Sequence, residues 1–534
     1  MLVDSRMTQP RIRSALSSTL VLSTAPAVPL PDLSHVNAQL MTDTCYQILS
    51  KGRRKCGITN ELYLLPGLIE HVITVKTTKA MLPTPQQQSW TIPRVISRWW
   101  GDSNHSSELD DAILRARKVI AILVCIEKLD AVPELLNDGI TDQDLPLVRK
   151  EPREECHFTC HCGKKQFLSF ETWSHQALDR FQQSQRLALA PDVEISFDTT
   201  EPVLDIPLHP GCGLPFSCEQ VSGGIQNGYS DVYKASLQHA KLGPSQTRPF
   251  AIKKFFKKEF FEAEKKNLDD LRREKIKNPH LIQYLAACEQ IPCIIFPWAD
   301  GGDLKQCWEE NDTKTAQGRL DPDLIPWSLH QILGLARALK DLHYINCRHG
   351  DIKPGNILHF PDEDGSLGML KLADVGISKI HAHPTFQRKD PTKTSAYTQA
   401  YEAPEADEND PVAVNKPRSR AYDLWSLGCV ITEFAQWLLN GNQGLKSFEN
   451  ERYPSGNRFY KKINPDDGQP STLSVHPAVD SMIGSLNNHE VYRGSVLEEV
   501  VKLARENLLV IEPSERMKAD ILCKRLEEIV NRKN

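Results

Sequence analysis

The spacing of apolar residues divides the chain into a helical N-terminal region, a connecting stretch and a C-terminal region of mixed pattern. Over residues 106–139, apolar side chains recur at near-helical spacing, and Ser107 is a suitable N-cap. The members of this apolar face are Leu109, Ile113, Ile120, Leu123 and Ile126. We therefore predict a mostly α-helical region at 34–190. A disordered Ser/Thr/Pro-rich tail at 1–33 precedes it, and a linker at 191–215 follows it.

The pattern changes at Phe216 to short strand-like runs, which are followed by helices. The runs SDVYKASLQ, PFAIKKFF and CIIFPWA are typical of strands. The later segments PWSLHQILGLARALKDLHYIN and AYDLWSLGCVITEFAQWLLN have helical periodicity. We predict an α+β domain over residues 216–530, with a small β-rich lobe and a large α-helical lobe. A polar segment at 440–479 is either a docking surface or a tolerated insertion, and we favour the insertion.

Composition excludes several classes of protein. The 534 residues are 40% hydrophobic and 25% charged, with a net charge of −5, which is typical of soluble globular proteins. No broad basic footprint indicates nucleic-acid binding, and no apolar run reaches the roughly 18 residues of a membrane span. The N-terminus lacks a secretory signal, and 14 scattered cysteines indicate reduced thiols. We expect an intracellular protein, cytoplasmic or nuclear.

Cysteine and histidine crowd together in one short stretch, at Cys156, His157, Cys160, His161 and Cys162. A structural zinc ion needs four ligands, usually in two pairs separated by a loop. No second pair is obvious downstream, because Cys212 and Cys218 are far along the chain. Reduced thiols are the favoured interpretation, and a zinc site stays open.

The stretch CRHGDIKPGNIL, residues 347–358, contains the residue types that phosphoryl transfer requires. Asp351 is placed to accept the proton of an acceptor hydroxyl, and Lys353 to steady the transferred group. Asn356 is placed to ligate a metal ion. Asp374, in LKLADVGISKI, then supplies the main carboxylate for Mg²⁺.

A lysine and a glutamate upstream complete this set. Lys253, in AIK on a predicted strand, is placed to hold the α- and β-phosphates of a nucleotide. Its partner carboxylate is expected on the next helix. We choose Glu264, because Leu268 and Leu271 follow at i+4 and i+7 and would pack one face of that helix.

These motifs together resemble the Ser/Thr protein kinase domain, over residues 216–530. TQAYEAPE contains Thr398, which resembles a peptide-docking residue, and Glu405 of the Ala-Pro-Glu motif. Asp423 resembles the helix aspartate that braces the catalytic loop, and Arg516 resembles the partner of Glu405. FPWADGGDL and VHPAV, with the helical N-terminal region, resemble a group of fungal protein kinase domain proteins. The resemblance implies ATP and Mg²⁺ as cofactors and a protein Ser/Thr substrate.

The resemblance also implies a nucleotide pocket. Its expected residues are Gly223, Gly224, Gly228, Val232, Ala251, Lys253, Phe296, Pro297, Trp298, Ala299 and Asp303. Val232 and Ala251 would line the adenine pocket, with Phe296 at its depth and Asp303 near the ribose. The glycine-rich loop departs from the family pattern, because its glycines are shifted, and this departure puts nucleotide affinity in doubt.

Gly350 stands where protein kinases have an arginine. The spelling His-Gly-Asp is that of small-molecule phosphotransferases, but Lys353 and the TQAYEAPE motif favour a protein kinase. In the family that arginine meets a phosphorylated residue of the activation loop. We therefore expect an active kinase with little dependence on such phosphorylation, whose helical region regulates activity or recruits a protein partner. The alternative is a pseudokinase scaffold that binds nucleotide weakly.

Overall fold

The structure of the chain is a computed structural model. It describes residues 38–82, 106–149, 158–199, 201–221, 229–237, 248–311, 313, 320–321, 323–362, 367–375, 399–406, 419–463 and 472–532. The chain divides into two units. The first contains the described residues up to Ala190 apart from Cys56–Glu61, and the second contains Cys56–Glu61 and the described residues from Pro191 onwards. None of the helices in these ranges is long and apolar enough to cross a membrane.

The first unit is mostly helical, as the pattern predicts. Its helices are α1 (Ala38–Lys51), α2 (Pro66–Val72), α3 (Val75–Met81), α4 (Ser106–Arg115), α5 (Arg117–Cys125), α6 (Val132–Asn137) and α7 (His175–Ala188). Two small antiparallel sheets accompany them. Their strands are β1 (Arg53–Lys55) with β2 (Leu62–Leu64), and β3 (Val148–Arg149), β4 (Phe158–Thr159) and β5 (Gln166–Phe167).

The stretch with near-helical apolar spacing, residues 106–139, forms several short helices in the structure. The five residues of its apolar face are all buried. However, Ala116 separates α4 from α5 with a non-helical backbone, and Glu127 has a positive φ of 57°. Ser107 lies inside α4, which begins at Ser106, so its assignment as the N-cap was wrong. Apolar residues continue through these breaks because the segments on both sides are buried, and in α5 every residue from Val119 to Cys125 is buried.

The second unit begins with a six-stranded sheet that precedes the helical part. Its strands are β6 (Leu204–Asp205), β7 (Phe216–Gln220), β8 (Ser230–Leu237), β9 (Phe250–Phe255), β10 (Ala286–Cys288) and β11 (Cys293–Pro297). The order in the sheet is β6-β10-β11-β9-β8-β7, and β6 pairs in parallel with β10. Helix α8 (Lys258–Arg273) follows β9 and contributes Phe261 and Leu268 to the core of this lobe.

The rest of the second unit is dominated by helices. They are α9 (Leu304–Glu310), α10 (Leu324–Tyr344), α11 (Ala421–Arg452), α12 (Pro477–Leu486), α13 (Val496–Asn507) and α14 (Ala519–Val530). Two hairpins accompany them, β12 (Ile357–Phe360) with β13 (Met369–Leu372) and β14 (Tyr460–Ile463) with β15 (Thr472–Val475). This order of a β-rich lobe and a helical lobe confirms the predicted α+β class.

The interpretation of residues 440–479 as a tolerated polar insertion needs correction. The α11 region continues to Arg452 across a kink at Gly441, and β14 and β15 follow. Arg452 is 2% exposed, donates to Glu433 at 2.9 Å and lies between two aromatic rings. Its guanidinium carbon is 3.8 Å from the ring centre of Phe448 and 3.9 Å from that of Phe459. A count of polar residues misses this packing, because the charge is buried together with its partner.

Candidate active site

Lys253, Glu264 and Asp374 form a buried ionic cluster. β9 carries Lys253, and its register places Lys253 between Val232 of β8 and Ile294 of β11. The Lys253 ammonium donates to Glu264 Oε1 at 2.9 Å and Oε2 at 2.8 Å, and to Asp374 Oδ1 at 2.5 Å. Lys253 is 5% exposed and Glu264 is 3% exposed. The helical spacing that led to the choice of Glu264 thus brings its carboxylate onto this ammonium.

Lys253 and Asp374 stabilise each other's charged forms, whereas burial and the nearby Asp374 carboxylate raise the pKa of Glu264 despite its contact with Lys253. Burial alone would lower the pKa of Lys253, but the adjacent carboxylates of Asp374 and Glu264 outweigh burial and raise it. Burial alone would raise the pKa of Asp374, but the Lys253 ammonium outweighs it and lowers that pKa. The site therefore contains a lysine held as a cation and an aspartate held as an anion.

The catalytic loop brings Asp351, Lys353 and Asn356 together. Lys353 Nζ donates to Asp351 Oδ2 at 2.8 Å. Asn356 Nδ2 donates to the same oxygen and to the Asp351 backbone carbonyl, both at 2.8 Å. The turn at Pro354–Asn356 positions the asparagine, and the backbone oxygen of Asn356 accepts from Ala373 N at 2.9 Å. That last bond links the loop to the residue immediately before Asp374.

Asp423 holds the backbone of this loop through hydrogen bonds to its carboxylate. The carboxylate is fully buried at the start of α11, and accepts from His349 N at 2.9 Å and Gly350 N at 2.7 Å. His343 Nε2 lies 2.9 Å from the same carboxylate. The brace that the resemblance implied for Asp423 has this geometry, and sequence reasoning missed only the contribution of His343.

The backbone around Asp374 is anchored on both sides. Asp374 adopts a φ of +63°. His349 Nε2 lies 2.8 Å from the carbonyl oxygen of Ala373, and Asn267 Nδ2 donates to that of Val375 at 3.3 Å. Val375, which stands where the family has phenylalanine, is 1% exposed and packs in the core. The smaller side chain therefore keeps a buried position.

The residues expected to line an adenine pocket lie on β8, β9 and β11. Ala251 pairs with Phe296 across β9 and β11, and with Lys234 across β9 and β8. Phe296 is 7% exposed, while Ala251 and Val232 are partly buried. Leu358 of β12 packs against the same apolar cluster as Ala251 and Phe296. Sequence reasoning missed Leu358, although its place two residues after Asn356 was a usable signal.

The residues after Phe296 form the connection between the lobes. Pro297, Trp298 and Ala299 are partly buried, and Lys234 Nζ lies 4.8 Å from the centre of the Trp298 ring. Asp303 is the N-cap of α9, where its carboxylate accepts from Gln306 N at 2.9 Å. Burial raises the pKa of Asp303. This carboxylate therefore has a structural role as a helix cap besides the expected place near a ribose.

A second ionic contact anchors the Ala-Pro-Glu segment. Arg516 donates to both oxygens of Glu405 at 2.7 Å, in the bidentate geometry of a strong guanidinium–carboxylate pair. The Tyr401 hydroxyl donates to Glu433 at 2.6 Å, and Ser426 Oγ donates to the Tyr401 carbonyl at 2.8 Å. The pairing of Arg516 with Glu405 is the one that the resemblance implied.

Some predicted residues lie outside the described part of the chain. Gly223, Gly224 and Gly228 belong to residues 222–228, and Thr398 belongs to residues 376–398. Their predicted roles stay predictions.

The residues present fit a magnesium–nucleotide complex. Mg²⁺ prefers oxygen ligands and is usually held by one or two protein groups together with phosphate oxygens. The Asp374 carboxylate and the Asn356 side-chain amide belong to chain segments that the Ala373–Asn356 hydrogen bond holds together. The Lys253 ammonium beside Asp374 supplies a cation for phosphate oxygens.

Comparison with known proteins identifies the region that contains this site. The protein kinase domain family matches residues 228–525. A probable serine/threonine-protein kinase, fhkD of Dictyostelium discoideum, is 27% identical over 44% of this chain. Serine/threonine-protein kinase RAD53 of Saccharomyces cerevisiae is 27% identical over 31% of it. Human mitogen-activated protein kinase kinase kinase 13 is 30% identical over 36% of it. The matches span 30%, 20% and 17% of the lengths of these relatives.

Proposed function

This chain belongs to the protein kinase domain family, and we propose that it is an ATP-dependent serine/threonine protein kinase. The observation that carries the proposal is that the ionic cluster lies beside the catalytic loop. The cluster contributes Lys253 and Asp374 to the proposed chemistry, and the loop contributes Asp351 and Asn356. Relatives named as serine/threonine kinases support the same class of acceptor.

Each group has a task that follows from its contacts. Asn356 and Asp374 would hold Mg²⁺, and Lys253 would hold the nucleotide phosphates. Bound Mg²⁺ and ATP would supply, respectively, neutralisation of phosphate charge and the transferred phosphoryl group. Asp351, oriented by Lys353 and Asn356, accepts the proton of the Ser or Thr hydroxyl. The Lys353 ammonium lies where it can offset negative charge on the transferred group.

The substitution Asp351→Asn tests this proposal. With radiolabelled ATP, Mg²⁺ and a generic basic protein as acceptor, we expect phosphate incorporation to fall about a hundredfold or more, because the proton acceptor is lost. Stabilisation of the protein by Mg²⁺–ATP in a thermal melt is expected to remain, because Lys253 and Asp374 are unchanged. Asp192→Asn, which changes an exposed carboxylate, is the matched control and should leave incorporation unchanged.

Two outcomes would contradict catalysis. One is equal labelling by the unchanged protein and the Asp351→Asn variant. The other is no labelling by either protein despite measurable nucleotide binding, which would favour the pseudokinase scaffold.

We also propose that activity depends little on phosphorylation of the activation loop. The support is Gly350, which offers only a backbone amide, and that amide is already bonded to Asp423. The loop thus has no guanidinium at this position to meet a phosphate.

Simultaneous replacement of Thr385, Thr392, Thr394 and Ser395 by alanine tests this second proposal. We expect phosphate incorporation to change little, and treatment of the unchanged protein with a phosphatase to have equally little effect. Loss of activity in the quadruple variant, with recovery by a phosphomimetic glutamate at one position, would contradict it.

A further inference from the structure

Cys160 and Cys162 lie side by side in the turn that joins β4 to β5 in the first unit. Their sulfur atoms are 3.0 Å apart and share a hydrogen bond. Backbone hydrogen bonds define the turn, from Cys160 N to Lys165 O at 3.0 Å and from Gly163 N to Cys160 O at 2.8 Å. The proposed kinase chemistry makes no use of this pair.

The two thiols differ in exposure. Cys162 is exposed and lies among exposed turn residues, and it is the one exposed cysteine among those that the structure describes. Cys160 is 2% exposed, and its sulfur accepts a hydrogen bond from Lys165 N at 3.2 Å. The hydrogen bond from Cys162, with backbone N–H groups around the turn, lowers the pKa of Cys160 despite its burial. One thiol is thus accessible, and the other loses its proton more readily than an ordinary cysteine does.

We propose that Cys160 and Cys162 are a reversible dithiol–disulfide site that exchanges with a small disulfide of the glutathione type. Disulfide formation requires the sulfur atoms to approach from 3.0 Å to about 2.05 Å. Both residues belong to the one turn that joins β4 to β5.

The exchange balances without a further reactant. Cys162 loses its thiol proton to water, and the resulting thiolate attacks one sulfur of oxidised glutathione and releases a glutathione thiolate, which takes up a proton. Cys160 then gives up its proton and displaces the second glutathione from Cys162. Two protein thiols are oxidised to one disulfide, one glutathione disulfide is reduced to two thiols, and the two protons end on the two released glutathiones. Excess reduced glutathione reverses both steps.

The other cysteines supply contrast. Burial raises the pKa of Cys45 and of Cys523 to about 11, and that of Cys218 to about 12. Such thiols are poor nucleophiles near neutral pH, because little thiolate is present. A hydrogen bond with Cys293 lowers the pKa of Cys288 to about 7, but Cys288 is 1% exposed and glutathione cannot reach it. Exchange is therefore expected to be selective for the turn.

Peptide mapping of the full chain after incubation with oxidised glutathione tests the site. Cleavage after Phe158 separates Cys156 from Cys160 and Cys162, so the fragment that begins at Thr159 reports on this pair alone. We expect that fragment to lose two hydrogen masses and to regain them with a dithiol reductant.

We expect Cys160→Ser to retain one glutathione on Cys162, because no second thiol displaces it. Cys162→Ser should neither form the disulfide nor retain glutathione, and Cys218→Ser should behave like the unchanged protein.

Three outcomes would overturn the proposal. The first is a stable glutathione adduct on Cys162 in the unchanged protein without an intramolecular disulfide. The second is a disulfide that maps to Cys156 and disappears in Cys156→Ser. The third is stoichiometric zinc in the purified protein that is lost in Cys160→Ser, with both thiols unreactive until a chelator is added.

Discussion

Gly350 combines an unusual backbone conformation with a hydrogen bond that prevents its relaxation. Its φ of +80° lies in the left-handed region, which other residues enter at a cost. Its amide donates to the buried carboxylate of Asp423. A side chain at this position therefore either strains the backbone or breaks the bond that holds the catalytic loop.

We expect Gly350→Ala to lower the free energy of unfolding by about 1 kcal/mol and to reduce phosphate incorporation as well. Chemical denaturation and the kinase assay measure the two effects. Gly494→Ala is the matched control, because Gly494 has a φ of +70° and open space around it, but no link to the catalytic loop. It should lose similar stability and keep its activity. Equal activity in the two variants would mean that the bond to Asp423 does not hold the loop.

The sequence alone predicted several residues of the site, and those that it missed have physical explanations. Glu264 could be chosen because helical spacing ties its direction to that of Leu268 and Leu271. Leu358 was missed because its position after Asn356 was not used, and its packing with Ala251 and Phe296 joins segments that are distant in sequence. The capping role of Asp303 was also missed, because a cap depends on where the helix begins.

At the scale of elements, α10 packs its Gly334 directly against a histidine from another segment. A Cβ atom on Gly334 would lie 2.1 Å from His280 Nε2. The ring cannot move freely, because His280 Nδ1 lies 2.7 Å from the carbonyl oxygen of Leu370 in β13. Close approach to the ring is therefore the reason for a glycine inside this helix.

We expect Gly334→Ala to lower the free energy of unfolding, although alanine is better in an isolated helix by about 1 kcal/mol. Gly484→Ala in α12 is the matched control, since no atom lies within 4 Å of its added Cβ, and it should be stabilising. Denaturant midpoints measure both. In a His280→Ala background the effect of Gly334→Ala should turn favourable. Destabilisation that persists there would exclude the ring as its cause.

The sequence predicted long helices correctly, but it did not predict where helices are interrupted or where the last hairpin forms. Helices α10 and α11 are 21 and 32 residues long in the structure, too long for strands, so their helical character was plain. After the break at Ala116, Lys118 N and Val119 N donate to the Asp142 carboxylate of a later segment. The hairpin of β14 and β15 packs Tyr460 into the core of the helical lobe. Local apolar spacing contains no signal of such packing.

At the scale of the whole molecule, buried histidines tie stability to pH. Burial lowers the pKa of His280, and the charges of Lys371 and Arg337 add to this effect, although the contact with Leu370 O opposes it. Burial also lowers the pKa of His476. Since the unfolded chain binds these protons more readily, the contribution to stability is present above the unfolded pKa of about 6.5 and is lost as pH falls below it.

We therefore expect the free energy of unfolding to decrease between about pH 7 and pH 5. Denaturant titrations at several pH values measure the slope. His280→Gln should flatten it, because glutamine takes no proton in this range. His330→Gln is the control, since the ring of His330 is exposed and contacts only the carbonyl of Pro326 in its own helix. An equal slope in the unchanged protein and His280→Gln would show that other groups set the dependence.

The short strand β6 has a consequence for the order in which the second unit folds. It is synthesised before every other strand of its sheet, yet its parallel partner β10 follows only after β7, β8 and β9. Pairings between segments far apart in sequence carry a large loop-closure entropy and form late. The first strand of this sheet to leave the ribosome is thus the last to pair. Until β10 and β11 have been synthesised, β6 has no partner strand.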